Sequence, residues 1–269
     1  MNPSSRRDET SELQITMSNL IAITGKGGTG KTTLSGLIIR ALIEQGKKPV
    51  LAVDADPNTC LDATLGVKVE KSVGTVREEA LKSANKSMAG GISKQQLLEL
   101  KISECLVEGD DFDLISMGRC EGPGCYCYAN NVLKDVIGRL SAAYPYLVLD
   151  NEAGLENLSR RIVQKVDLMV MVADPSKRGI ETILRLHKLA GEMQLAYGKL
   201  AIIINRLRTN SLPESAAGLK QQTGADTIIG IADNEEIADM AEQGKSIWDI
   251  RETNSAARKI AQFLAGMNL

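Results

Sequence analysis

The sequence predicts an α/β fold, a doubly wound and mostly parallel sheet flanked by helices, and three observations predict it. Short runs that are continuously apolar alternate along the chain with longer segments of helical period. These runs lack the polar alternation of half-exposed strands, so we expect helices on both faces of the sheet. No internal repeat and no Pro/Gly/Ser linker divides the chain. Residues 18–269 are therefore expected to form a single domain.

Seven apolar runs are predicted strands. Each is short and rich in Val, Ile and Leu, as strands buried on both faces are. They cover residues 20–24, 50–54, 112–117, 146–150, 168–173, 200–205 and 227–231.

Six further segments are predicted helices. The first, residues 32–45, ends at Gly46, and its apolar side chains recur at i, i+3, i+4, i+7 and i+8. Those side chains are Leu34, Leu37, Ile38, Ala41 and Leu42. Similar patterns cover residues 95–106, 131–142, 180–196, 235–243 and 256–264.

The composition excludes several classes of function. The chain has 32 Lys and Arg against 34 Asp and Glu, so no overall basic field predicts a nucleic-acid or membrane partner. The longest apolar run, residues 168–173, is far shorter than the ~18 residues of a membrane span. Residues 1–17 are polar and charged, and we expect a disordered lead rather than a signal peptide. We therefore expect a cytoplasmic protein, in which clustered cysteines are more often metal ligands or reactive thiols than disulfides.

A glycine-rich loop directly follows the first predicted strand. Its sequence, Gly-Lys-Gly-Gly-Thr-Gly-Lys-Thr at residues 25–32, satisfies the phosphate-binding pattern G-x-x-x-x-G-K-[ST]. Glycines let backbone N–H groups surround a phosphate, and the helix that follows adds its N-terminal dipole. Lys31 is predicted to contact the β and γ phosphates and Thr32 to bind Mg²⁺ through its hydroxyl. The candidate nucleotide-binding residues here are Gly25, Gly27, Gly28, Thr29, Gly30, Lys31, Thr32 and Thr33.

Three carboxylates follow or end predicted strands where a nucleotide and its metal would lie. Asp54 and Asp56 are two residues apart and point to the same side of an extended segment. Asp150 ends its strand, like the acid that holds Mg²⁺ in nucleotide-hydrolysing enzymes. We predict that Asp54 and Asp150 bind Mg²⁺, directly or through water. Helix capping and turn formation are the alternative roles of these side chains.

The segment Asn205-Arg206-Leu207-Arg208 bears on which base is bound. Guanine-binding loops have the pattern Asn-Lys-x-Asp, in which the last carboxylate accepts hydrogen bonds from the guanine amino edge. Arg208 stands at that place here, and an arginine accepts no hydrogen bond. ATP is therefore the predicted nucleotide, with Asn205 and Arg206 as candidate base-site residues. An asparagine that only forms a turn is the alternative for Asn205.

The loop resembles that of a known class of ATPases. Lys-Gly-Gly-Thr-Gly-Lys-Thr at residues 26–32 resembles the deviant P-loop of the MinD/ParA class, and Asp-Ala-Asp-Pro at residues 54–57 is similar to a second motif of that class. The resemblance implies an ATPase that forms a homodimer. It implies that Lys26 reaches the phosphates of the partner's ATP and that Asp56 positions the attacking water, so the implied catalytic residues are Lys26, Lys31 and Asp56. A solvated surface lysine is the alternative for Lys26.

Two longer motifs narrow the resemblance. Gly-Arg-Cys-Glu-Gly-Pro-Gly-Cys-Tyr-Cys at residues 118–127 and Asp-Asn-Glu-Ala-Gly-Leu-Glu-Asn-Leu-Ser-Arg-Arg at residues 150–161 resemble the CooC-type nickel-insertion ATPases. The resemblance covers nearly the whole chain from about residue 19 onward. It implies an accessory protein that matures carbon monoxide dehydrogenase or, like a close relative of that family, acetyl-CoA synthase. One of these two enzymes is then the expected client.

The cysteines are the candidate ligands for a transition metal. The chain has five cysteines and one histidine, so a site built from several imidazoles of one chain is excluded. Cys125 and Cys127 stand at i and i+2, and in an extended segment both thiolates face the same side. A two-fold dimer would supply four thiolates, so we predict one Ni²⁺ or Zn²⁺ per dimer. A pair of idle thiols is the alternative, and Cys120 is either a packed thiol or a spare ligand.

Two other functions are compatible with a MinD/ParA-like ATPase. A redox dimer that bridges an iron–sulfur cluster, as in relatives of nitrogenase reductase, uses one cysteine after each of two strands. Residues 150–167 contain no cysteine. A positioning ATPase that binds a membrane needs a basic helix face, and the predicted helix at residues 256–264 carries only Arg258 and Lys259 as basic residues. Metal chaperoning is therefore the favoured function.

Overall fold

The computed structural model describes residues 18–84, 104–119, 134, 137–155, 158 and 165–269. Within these ranges, eight strands form one sheet in the order β3-β4-β2-β5-β1-β6-β7-β8. Neighbouring strands are parallel except β3 and β4, which are antiparallel. The strands are β1 Asn19–Gly25, β2 Val50–Asp54, β3 Leu106–Val107, β4 Phe112–Ser116, β5 Tyr146–Asp150, β6 Val166–Ala173, β7 Tyr197–Leu207 and β8 Thr227–Ala232. The mostly parallel, doubly wound sheet is confirmed.

All seven predicted strands are present. The strand β7 is longer than predicted at both ends: Tyr197–Lys199 pair with β6 before the apolar run, and a bulge between Ile204 and Leu207 lets the strand continue after it. The strand β3 was not predicted, since two residues are too few to establish a periodicity.

Helices flank the sheet as α1 Lys31–Glu44, α2 Leu61–Leu65, α3 Val73–Ala84, α4 Lys177–Glu192, α5 Leu219–Thr223, α6 Glu235–Glu242 and α7 Ser255–Gly266. The predicted helices at residues 32–45, 180–196, 235–243 and 256–264 correspond to α1, α4, α6 and α7. The helix predicted for residues 95–106 is wrong at its end, because residues 104–105 form a turn and Leu106 begins β3. Residues 95–103 lie outside the described residues, as do residues 131–133, 135 and 136 of the predicted helix at 131–142. The described part of that second segment is helical at residues 134 and 137–140 and ends in a 3-10 turn at Ser141–Ala143.

Two hydrophobic cores cover the two faces of the sheet. Successive residues of β1 alternate between them: Leu20 and Ala22 join the core under α3, α4 and α5, whereas Ile21 and Ile23 join the core under α1, α2, α6 and α7. Both sets of side chains are buried, which explains why the strands are continuously apolar. No helix in the described ranges is both long enough and apolar enough to span a bilayer.

The parallel register brings the carboxyl ends of the strands to one edge of the sheet. Asp54 at the end of β2 is paired with Asp150 at the end of β5 and with Ser116 at the end of β4. Gly25 at the end of β1 lies beside Val172 of β6. Open α/β sheets bind ligands at this edge, where the loops that follow the strands converge.

Candidate functional site

The glycine-rich loop joins β1 to α1 at this edge. Gly30 precedes the first residue of α1 with φ of 89°, a conformation that residues with a side chain rarely adopt. A Cβ atom on Gly30 would lie 2.6 Å from Asn205 Nδ2, and one on Gly25 would collide with the carbonyl oxygen of Val172. The spacing of these glycines therefore follows from backbone conformation and from the close approach of β6 and β7.

Hydrogen bonds within the chain hold the loop in shape. The Thr29 hydroxyl donates to the carbonyl oxygen of Lys26 at 2.9 Å. Asn205, on β7, donates from Nδ2 to the carbonyl oxygen of Thr29 at 2.8 Å. The sequence predicts that Asn205 contacts the base, and in the structure its amide nitrogen fastens the loop; the base contact stays a prediction.

A cavity of about 510 Å³ lies over the loop. The predicted residues Gly27, Gly28, Gly30, Lys31, Thr32 and Thr33 line it, together with Asp56 and Arg206. Pro57, Asn58, Glu152 and Ala153, which the sequence analysis did not assign to the site, also line it. The structure thus brings six of the eight predicted loop residues and the candidate catalytic carboxylate Asp56 to one cavity, whereas Gly25 and Thr29 do not line it.

Lys31 is the buried cation of this cavity. The residue is 9% exposed, and its Nζ lies 3.4 Å from the carbonyl oxygen of Lys26. Burial lowers the pKa of Lys31, while the charges of Asp150, Asp56 and Glu152 act in the opposite direction. A cation with so little water around it interacts strongly with a phosphate placed in the cavity.

Asp150 lies directly beneath the loop and is 1% exposed. Its Oδ1 accepts a hydrogen bond from the Ser35 hydroxyl at 3.0 Å, and Thr32 also hydrogen-bonds to this carboxyl group. Burial and the neighbouring charge of Asp54 raise the pKa of Asp150 to about 7. A buried carboxylate beside a hydroxyl and a phosphate cavity fits Mg²⁺, which takes one or two carboxylates together with phosphate oxygens and water.

Asp54 is also buried, and its contacts differ from those of Asp150. Its Oδ1 accepts a hydrogen bond from the Asp56 backbone N–H, and its Oδ2 accepts hydrogen bonds from the N–H groups of Cys60 and Leu61, each at 3.0 Å. Burial raises the pKa of Asp54 to about 6, against the effect of these three donors. The carboxylate therefore holds the turn between β2 and α2, and its contact with Mg²⁺ stays a prediction.

Lys26 lies at the surface of the loop. Its side chain is 46% exposed, and its Nζ lies 3.6 Å from Oδ2 of Asp174, directly after β6. Burial alone would raise the pKa of Asp174, but hydrogen bonds from Ser176 and the charge of Lys26 outweigh it and lower the pKa. Lys26 does not line the phosphate cavity of its own chain.

A second cavity, of about 290 Å³, adjoins the first on the far side of the loop. Gly30, Thr33 and Arg206 line both cavities. Apolar side chains of α1, β8 and α6 form the walls of the second cavity, with Asn205, Asp233 and Asn234 at its polar end. An apolar slot next to the phosphate cavity is the candidate base site, and Arg206 stands between the two with φ of 59°, a strained conformation at the β7 bulge.

Sequence reasoning missed the β8–α6 turn as part of the site. Asn234 accepts a hydrogen bond from the Ile237 N–H at 3.1 Å and so caps α6. The capping pattern could have located the start of this helix. The distance between α6 and the glycine-rich loop depends on the order of the strands in the sheet. The residues around Asn234 do not reveal that order.

The candidate ligands for a transition metal are not part of the described site. Cys120, Cys125 and Cys127 lie outside the described residues, so their predicted metal site stays a prediction. Cys60 is exposed and Cys105 is buried, and neither forms a disulfide with a described residue. Within the part of the chain that the structure describes, no three His, Cys, Asp or Glu side chains are grouped to hold a metal ion.

Comparisons with known proteins agree with this geometry. An uncharacterized ATP-binding protein of Methanocaldococcus jannaschii is 40% identical over 90% of this chain and 96% of its own length. The carbon monoxide dehydrogenase accessory protein CooC of Rhodospirillum rubrum is 30% identical over 64% of this chain and 69% of its own. The crystal structure of a ParA family ATPase from Chlorobium tepidum has a TM-score of 0.69 at 18% identity, over 93% of this chain and 99% of that one. Residues 20–247 match the CobQ/CobB/MinD/ParA nucleotide binding domain, and the chain belongs to that family.

Proposed function

We propose that this chain is an ATP-hydrolysing metallochaperone, which dimerises with ATP and metal and supports nickel insertion into carbon monoxide dehydrogenase or acetyl-CoA synthase. The cavity in which Lys31, Thr32 and Asp56 meet the glycine-rich loop supports the ATPase activity. The Cys125–Cys127 pair, the motifs around it and the similarity to a carbon monoxide dehydrogenase accessory protein support the nickel function. The motifs are compatible with either client enzyme, carbon monoxide dehydrogenase or acetyl-CoA synthase.

In the proposed hydrolysis the chain positions groups and neutralises charge. The loop N–H groups and Lys31 hold the β and γ phosphates, which removes charge repulsion from the path of an attacking water. Thr32 and Asp150 would hold Mg²⁺, which supplies further neutralisation when bound. Asp56, at the cavity wall, would orient the water. Lys31 and Asp150 are buried, and electrostatic interactions are stronger at buried groups than in water.

The proposed dimer places Lys26 on the partner's nucleotide. An ion pair as exposed as Lys26 with Asp174 contributes little to stability, so exchanging Asp174 for a phosphate group costs little. Cys125 and Cys127 of the two chains would together supply four thiolates to one Ni²⁺ or Zn²⁺, the cargo. Hydrolysis would then remove the γ phosphate that Lys26 contacts, loosen the dimer and release the metal to the client.

Membrane positioning, the alternative within the family, has less support. The helix α7 buries Ile260, Phe263 and Leu264 in the core beneath the sheet. Its apolar face is therefore occupied by the chain itself. An interfacial membrane helix needs that face for lipid.

The oligomeric state should respond to both ligands. We expect the chain to convert from monomer to dimer in sedimentation velocity when either a non-hydrolysable ATP analogue or Ni²⁺ is added, because both favour the same two-fold contact. ADP is the control, since it lacks the phosphate that Lys26 would contact. A chain that stays monomeric with both ligands would contradict the coupling.

Nickel binding should depend on the cysteine pair. The Cys125→Ser and Cys127→Ser double variant is expected to lose stoichiometric Ni²⁺ binding, while the wild-type chain binds one ion per two chains, more tightly with ATP. Equilibrium dialysis with metal analysis measures both. Cys60→Ser is the matched control, because Cys60 is an exposed thiol next to the nucleotide site. An unchanged stoichiometry in the double variant would place the metal elsewhere, and a brown chromophore after anaerobic iron–sulfur reconstitution without Ni²⁺ uptake would favour the redox alternative.

A further inference from the structure

The turn after β2 holds Asp56 by side-chain contacts as well as by its backbone. Oδ1 of Asp56 accepts hydrogen bonds from the backbone N–H of Asn58 at 2.9 Å and from its Nδ2 at 3.0 Å. The Thr59 N–H donates to the carbonyl oxygen of Asp56 at 3.1 Å. Among the described residues, no hydrogen bond falls on Oδ2 of Asp56. One oxygen is therefore fixed by the turn and the other is available to a water in the cavity.

The amide of Asn58 is itself held by an arginine. Nη2 of Arg119 donates to Oδ1 of Asn58 at 2.8 Å. Arg119 follows β4, which is the sheet neighbour of β2, so this contact joins the loops of two adjacent strands. It is the one hydrogen bond that the described residues give to the Arg119 side chain.

Arg119 and Asp56 hold opposite ends of the Asn58 amide and favour the same orientation. A guanidinium group has only donors and a carboxylate has only acceptors, so the amide oxygen faces Arg119 and the NH₂ group faces Asp56. If Arg119 were removed, the amide would keep its contact with Asp56 but lose the one that fixes its oxygen, and the position of Asn58 and of the carboxylate would be less well defined.

We propose that Arg119 is a positioning residue for ATP hydrolysis, which fixes the Asn58 amide and, through it, the Asp56 carboxylate. This inference rests on the proposed ATPase activity. Arg119 also directly precedes Cys120 in the chain. The segment that carries the three clustered cysteines is therefore covalently joined to the residue that orients the hydrolytic carboxylate.

The test is steady-state ATP hydrolysis by single and double variants of the full chain. Arg119→Ala is expected to lower kcat by about fivefold to tenfold with KM for ATP unchanged within about twofold, the loss expected when one positioning hydrogen bond is removed. Asn58→Ala should have a similar effect. The double variant should be no slower than the slower single variant, because both changes break the same connection. Arg119→Lys should recover part of kcat, since an ammonium group still donates.

Arg185→Ala is the matched control, because Arg185 is exposed and its one hydrogen bond to a described residue is with Thr182 on its own helix. It should leave kcat and KM unchanged. The inference is overturned if the losses of Arg119→Ala and Asn58→Ala multiply in the double variant, or if Arg119→Ala changes KM while kcat is kept. A wild-type chain that binds ATP and does not hydrolyse it would instead contradict the proposed function, and the inference with it.

Discussion

Lys26→Ala is expected to bind ATP within about threefold of the wild-type affinity while its hydrolysis rate falls at least about a hundredfold. Lys26 does not line the phosphate cavity of its own chain, where Lys31 supplies the cation, so binding by the single chain should survive. Hydrolysis should not, because the proposed dimer uses Lys26 to stabilise the charge that develops on the partner's γ phosphate. A fluorescent-nucleotide titration and a phosphate-release assay measure the two effects separately.

Lys48→Ala is the matched control for this variant. The Lys48 side chain is 49% exposed and paired with Asp111, close to the 46% exposure of Lys26 in its pair with Asp174. Lys48 does not line the cavity. The Lys48→Ala variant should therefore hydrolyse ATP at the wild-type rate. If Lys26→Ala still hydrolyses ATP, the proposed role of Lys26 on the partner's nucleotide is contradicted. Lys26 is then a solvated surface lysine.

A mixing experiment separates action on the partner's nucleotide from action on the chain's own. Lys26→Ala and Asp56→Ala are each expected to be inactive alone. In a mixed dimer, the chain with intact Asp56 receives Lys26 from the other chain, so one of the two sites is complete. At equal concentrations about half of the dimers are mixed, and about a quarter of wild-type activity should return. If Lys26 acts within its own chain, no activity returns, since each site then lacks one group.

Asp150→Asn is expected to stabilise the chain and to abolish its Mg²⁺-dependent hydrolysis. The carboxylate is buried next to Asp54, and its pKa is raised to about 7. An amide of the same shape removes this charge and can still accept a hydrogen bond from Ser35. It cannot bind a divalent cation as a carboxylate does, so kcat should fall at least about a hundredfold. Thermal unfolding in EDTA measures the change in stability, and a hydrolysis assay with Mg²⁺ measures the change in kcat.

The sign of the stability effect follows from proton binding. The unfolded chain ionises Asp150 near the ordinary pKa of 3.8, and the folded chain does so near 7, so the folded chain holds the extra proton between these values. The free energy of unfolding of the wild-type chain therefore falls as pH rises through this range. The advantage of Asp150→Asn should be absent below about pH 4 and should reach about 2 to 4 kcal/mol above about pH 7. A variant that is less stable than the wild type at pH 8 would contradict this account.

Asp54→Asn is the matched comparison, and we expect a smaller gain in stability, because the pKa of Asp54 is raised less, to about 6, and the amide disturbs more hydrogen bonds. The two oxygens of Asp54 accept hydrogen bonds from three backbone N–H groups, which cannot turn to suit an amide NH₂ group. The Ser35 hydroxyl beside Asp150 can rotate to suit a new partner. Two neighbouring buried acids thus give different results, because one is held by backbone donors and the other by side-chain hydroxyl groups.

The sequence was sufficient to predict the features that depend on local residue spacing. The loop at residues 25–32 combines glycines, Lys31 and Thr32 within one short segment, and the continuously apolar strands predicted a sheet covered on both faces. The contacts that complete the site join residues far apart in the chain. Asn205 binds the carbonyl oxygen of Thr29, and Lys26 pairs with Asp174. No local pattern encodes these distances.

The role of Asp54 could not be predicted from the sequence either, although its contacts are with residues close to it in the chain. Its position two residues before Asp56 is compatible both with a metal ligand and with a turn, and the sequence analysis favoured the metal. The structure shows that the N–H groups of Cys60 and Leu61 return to this carboxylate, because the chain turns back at residues 56–59 before α2 begins. A carboxylate that completes such a turn has less capacity left for a cation.

The hydrogen bond from Asn205 to Thr29 bears on how the chain could tell ATP from ADP. Because the chain's own contacts hold the loop in shape, the entropy of ordering it belongs to folding and not to nucleotide binding. A phosphate-binding loop that is already ordered should bind the α and β phosphates, which ATP and ADP share, with similar affinity. In the proposed dimer, Lys26 of the second subunit would add a contact to the terminal phosphate that a single chain cannot make. If the proposed dimer forms, a single chain would bind ATP and ADP with similar affinity, and the difference between the two nucleotides would appear in dimerisation.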